Sequence, residues 1–176
     1  MKNNSLNFQM KFLPTDIIST WKRASLSSIF CSNLFNNNQN KEVFLGNVIA
    51  TVINECLELV VKYGAKKTEN YTLTCNQTNN ITTITLSFFL QFQQISLLKS
   101  YLKKIYLIKK NKNFESIIFT KTFAELGYAI YSFIEDYNGS IKIDYEKKPK
   151  NVTSILKTQV TLNLNSKDLK NDYKNR

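Results

Sequence analysis

The side chains best able to do chemistry in this chain are its three thiols, its lysines and its carboxylates, because it contains no histidine. That absence removes phosphohistidine chemistry, histidine general-base catalysis and every metal site that needs an imidazole. The thiols are Cys31, Cys56 and Cys75, odd in number and widely spaced. This is neither a disulfide framework nor a zinc spacing, so they are expected as free buried thiols. Glu58 and Lys62 stand four residues apart, which suits an ion pair on one helix face. Lys99, Lys103 and Lys104 are expected to form a solvated face, with docking of an acidic partner as the alternative. Trp21, the single tryptophan, reads as a core or interface anchor.

These residues need elements to position them. Leu6, Phe8, Met10 and Phe12 alternate with polar neighbours, which predicts a first strand. Pro14 followed by Thr15-Asp16 predicts a stop and then a helix over about 17–35, and NNNQNK at 36–41 a polar loop. Val48, Ile49, Val52, Ile53, Cys56, Leu57 and Val60 recur every three to four residues and predict an amphipathic helix. Gly64 stands where a left-handed cap would end it. Strands are predicted near 71–75 and 82–92, joined through QTNN, and a lysine-rich helix over 95–110, followed by a polar KNKN linker. A second amphipathic helix is expected over 124–137. Asn138-Gly139 then turns the chain into a strand at Ile141, Ile143 and Tyr145, and KKPKN into a last strand with Val160, Leu162 and Leu164. Strand pairs separated by helices imply a two-layer α+β sandwich, a mixed sheet with helices on one face.

At 176 residues the chain suits one domain, expected over 1–165, with 166–176 as a frayed tail lacking an apolar face. It has no run of about eighteen apolar residues, and its first residues lack a continuous apolar stretch. The expectation is a cytoplasmic protein with no membrane contact. The net charge of +11 comes from lysines scattered along the chain, a pattern that fits a lysine- and asparagine-rich composition better than a nucleic-acid stripe.

Two segments, in this order, resemble the GHKL superfamily of histidine-kinase and anti-sigma-kinase ATPases. INECLELVVKYG, residues 53–64, resembles the N-box helix, and ELGYAIYSFIEDYNGSIKI, residues 125–143, resembles the stretch after the ATP lid. More narrowly, Trp21, Ser25-Leu26, Asn54-Glu55, Glu58, Lys62, Leu126-Gly127 and Asp136-Tyr137 resemble the layout of small stand-alone bacterial regulators of the SiaB-like kind. The resemblance implies a Bergerat-like fold that holds ATP and magnesium between the N-box helix and a flexible lid. It implies partner switching, in which a protein binds or phosphorylates an antagonist that a phosphatase opposes. It puts Glu55 at the catalytic base position and Glu58, Lys62 and Gly127 along the nucleotide site.

The same alignment shows what is missing. Leu59 stands where the family has its magnesium-binding asparagine, and leucine offers no oxygen to a hard cation. No D-x-G-x-G segment exists between Phe92 and Glu125, a stretch without glycine. Glu125 replaces the first glycine of G-L-G-L, and its carboxylate would repel phosphates. No metal ligand set is expected, and the nucleotide groups read as vestigial. The function expected is therefore a non-catalytic or weakly nucleotide-binding regulator that binds a protein partner of antagonist or phosphatase type. Its first helices would form the partner or homodimer surface. The alternatives are an active SiaB-like Ser/Thr kinase, with Asn54 or Glu58 replacing the lost ligand, and a basic nucleic-acid-binding module.

Overall fold

Strand alternation and helix stripes both survive as elements. The computed structural model describes residues 5–20, 22–36, 43–111, 131, 133–135, 137–146, 150–151 and 153–165. The strands are β1 (Ser5–Phe12), β2 (Tyr71–Thr78), β3 (Ile81–Gln91), β4 (Ser140–Tyr145) and β5 (Ile155–Asn165). The helices are α1 (Pro14–Ser19), α2 (Lys22–Asn36), α3 (Val43–Tyr63) and α4 (Phe92–Asn111). Residues 131 and 133–135 are also helical. Trp21, Glu125, Gly127, most of the expected loop at 36–41, most of the expected helix at 124–137 and the expected tail at 166–176 lie outside the described residues.

The sheet runs in the order β1-β2-β3-β5-β4. One of its faces is apolar: Tyr71, Leu73 and Cys75 of β2 meet Ile84, Leu86, Phe88 and Leu90 of β3, then Leu156, Val160 and Leu162 of β5, all buried. The opposite face carries Thr72, Thr74, Thr83, Thr85, Gln159 and Thr161, half-buried or exposed. This is the alternation of a sheet wetted on one side. α3 packs over β3, and α4 over β3, β4 and β5, with the inner faces of both helices in the same core. α2 lies against α3, and its Phe30 ring meets Phe8 of the edge strand β1 at 5.6 Å.

The two-layer α+β class holds, and two details differ from expectation. All four strand pairings are antiparallel, so the sheet is not mixed. β3 and β4 do run parallel to each other, but β5 returns between them and pairs with both. The expected helix over 17–35 is two helices, since Thr20 leaves helical geometry with φ −147° and ψ 84°. Pro14 is not a stop but the first turn of α1, where its missing N–H costs nothing.

Candidate functional site

The candidate site is the side of α3 that carries Glu55, Glu58, Leu59 and Lys62. At 100° per residue these four positions fall on one flank of the helix. The opposite flank, with Ile49, Ile53, Leu57 and Val60, is wholly buried and fixes the helix on the core. Glu55 is exposed, while Glu58 and Lys62 form the expected i,i+4 ion pair at the border of the core. Leu59 is 9% exposed and belongs to the hydrophobic core cluster. Leu59 is thus a packed methyl surface in the structure. An oxygen ligand there would have to displace core packing.

The C-terminal end of α3 is pinned at three points. The Gly64 N–H continues the helical ladder to the Val60 carbonyl at 2.9 Å, and the Ala65 N–H donates to the Phe89 carbonyl of β3 at 2.8 Å. The Gln94 side chain of α4 donates to the Tyr63 carbonyl at 3.4 Å. The expected left-handed cap does not form: Gly64 has no positive φ, because the chain passes directly from the helix onto β3. Glycine is required for space instead. A Cβ on Gly64 would lie 2.5 Å from the Val60 carbonyl and 2.8 Å from the Tyr71 hydroxyl.

Tyr71 is the hub beneath this end. It is fully buried, it meets the rings of Phe12, Phe88 and Phe89, and its hydroxyl accepts from the Lys66 N–H at 3.2 Å. Burial pushes its phenol above the usual range. The Lys66 ammonium lies 4.6 Å from the centre of the Phe89 ring. Neither role shows in the sequence beyond Tyr71 opening an alternating strand. The part played by Gln94 had a signal: Gln91 and Gln94 have the spacing of a capping box, and the Gln94 side chain accepts from the Gln91 N–H at 3.0 Å.

The three cysteines, distant in sequence, converge in the core. Cys31 of α2 and Cys75 of β2 are hydrogen-bonded, which pushes the Cys75 thiol strongly upward. Cys56 of α3 is pushed up to about 12 by burial and by the Glu55 carboxylate. They are free and buried, as expected, and the hydrogen bond that raises Cys75 pushes the Cys31 thiol downward. Among the described residues no group of three or more acidic or cysteine side chains could hold a metal ion. No described helix is long and apolar enough to cross a membrane.

The structure therefore brings Glu55, Glu58 and Lys62 together on one helix. Gly127, the fourth expected site residue, lies outside the described residues. Those residues could bind a cation-bearing or hydrogen-bonding partner surface, but the packed Leu59 supplies no ligand for magnesium.

Neither a protein-family model nor a curated protein sequence matches this chain. Among solved structures it is similar to a chain in the crystal structure of the SiaB–SiaC complex from Pseudomonas aeruginosa. The TM-score is 0.56 at 10% sequence identity, over 90% of this chain and 88% of that one. The likeness is one of fold, and it agrees with the SiaB-like layout expected from the residues.

Proposed function

We propose that this chain is a regulatory protein that works by binding a protein partner, as in partner switching, on a SiaB-like scaffold that no longer transfers phosphate from ATP. The observation that carries the reading is Leu59. By the resemblance it stands where the superfamily has its magnesium ligand, and it is packed into the core of an intact helix. A phosphoryl-transfer site depends on metal and positioned charge to stabilise the transferring group. Here the helix that would supply the metal ligand contributes a Glu58–Lys62 ion pair.

Loss of catalysis leaves the scaffold free to act by its surface. The fold likeness to a chain of a two-protein complex supports protein binding as the activity, and the resemblance supports an antagonist or phosphatase as the partner class. The test is phosphate transfer. Incubation with magnesium and γ-labelled ATP should give no label on protein and no hydrolysis above a heat-denatured control. Glu55→Ala should behave as the parent. Turnover that disappears in Glu55→Ala would establish the kinase reading instead.

A further inference from the structure

The outer face of α4 is the one strongly charged surface on a described helix whose charges are not already paired. α4 carries five lysines and no acidic residue. One of the five is structural: the Lys109 ammonium donates to the Ile134 carbonyl and to the Asn138 side chain, both at 2.8 Å. The others point outward. Lys99, Lys103, Leu107 and Lys110 follow one another at intervals of four, four and three residues, so they form a single stripe about 16 Å long, with Lys104 beside it. All five are exposed.

Several lysines elsewhere are paired. Lys142 pairs with Asp144 at 2.9 Å, Lys157 with Glu146 at 3.1 Å and Lys66 with Glu69 at 3.7 Å, and Lys62 pairs with Glu58. Among the described residues no carboxylate pairs with Lys99, Lys103, Lys104 or Lys110. The stripe is also held in place. The Lys99 ammonium sits 4.6 Å from the centre of the Tyr145 ring, and the Tyr106 hydroxyl accepts from the Ile141 N–H of β4 at 3.0 Å. On the inner side Ile95, Leu98, Tyr101, Leu102 and Ile105 are buried.

We infer that this face docks an amphipathic helix of a partner protein, one whose apolar seam is bordered by aspartate or glutamate. The inference deepens the protein-binding reading above and rests on it. The occupant follows from charge complementarity and from Leu107. That leucine is 50% exposed in the middle of the stripe, flanked by Lys103 and Lys110. An apolar residue ringed by ammonium groups matches an apolar seam ringed by carboxylates, the pattern of helix recognition steered by charge. A phosphate backbone would use the lysines and leave the leucine without a role. A lipid surface needs a broad apolar face to insert, and one leucine does not provide it.

The test uses the full chain and a fluorescein-labelled helical peptide of about eighteen residues, five helical turns, with leucines spaced three and four apart and glutamates on both flanks. Anisotropy at physiological salt should show binding that falls at least about tenfold in the K103E/K104E/K110E protein, because each change turns an attraction into a repulsion. Leu107→Ala should weaken binding about threefold to tenfold, the loss expected from truncating one interface leucine. K142E/K157E, at lysines already paired, should stay within about twofold of the parent. The inference is overturned if the parent does not bind the peptide or if the α4 variants bind it as the parent does. It is also overturned if those variants lose only binding to a single-stranded oligonucleotide or to phosphatidylglycerol vesicles. These outcomes leave the non-catalytic reading standing, since that reading falls only on magnesium-dependent binding or turnover of ATP.

Discussion

The two flanks of α3 divide the work of the helix between them. On one flank Ile49, Ile53, Leu57 and Val60 are fully buried against the sheet, and the periodicity that places them there is unbroken. On the other, Glu55 is exposed, Glu58 and Lys62 pair with each other, and Leu59 turns back into the core. The first flank is what a helix needs to fold. The second carries the helix's polar groups, with Leu59 packed beside them. The difference teaches that one helix can pack a core on one side and carry paired charge on the other.

The sharpest way to break this comparison is to cut the packing flank. Leu57→Ala should destabilise the protein by about 2–5 kcal/mol, the range for a fully buried leucine, measured by denaturant unfolding. A loss below about 0.5 kcal/mol, the size of a change at an open surface site, would mean that the flank is not core.

Leu59→Asn puts an oxygen-bearing side chain at position 59 and tests the other flank. On this account it buries an amide among methyl groups and costs about 1–3 kcal/mol, with no gain in magnesium-ATP binding. Tolerance of the asparagine together with new nucleotide affinity would show that position 59 opens onto a working pocket.

Alkaline pH probes the core from within. The Cys56 thiol is raised from an ordinary value near 9 to about 12 when folded. Between those values the unfolded chain binds fewer protons than the folded one, so stability falls as pH rises. For this group the slope is about 1.4 kcal/mol per pH unit through that window. Melting temperature against pH should therefore decline above about pH 9, and less steeply in Cys56→Ala. An equal decline in that variant would assign the effect elsewhere.

The smallest effect belongs to the polar flank. Glu58→Gln removes one exposed-to-half-buried ion pair and should cost only about 0.3–0.5 kcal/mol, a loss that shrinks with added salt. A cost several times larger would give the pair a structural role it lacks here.

Legibility followed the same division. The inner stripe of α3 and the alternations of β2, β3 and β5 could be read directly, because burial imposes a period on the residues. The antiparallel order could not, since the placement of β5 between β3 and β4 is a long-range pairing that leaves no local pattern. The break between α1 and α2 was hidden because neither glycine nor proline marks it. Gly64 was correctly marked as the end of α3 but for a different reason, its closeness to Tyr71 rather than a left-handed backbone. On the candidate site the absence at Leu59 was legible as a residue type, whereas its burial, and the unpaired state of the α4 lysines, depended on neighbours far along the chain.

The most direct test of the central claim is thermal unfolding with ATP, with and without magnesium. A site occupied at a hundred times its dissociation constant would add about 2.7 kcal/mol, a rise of roughly 5–10 °C for a chain of this size. The account predicts no magnesium-dependent rise. A rise of that size that requires magnesium would contradict it.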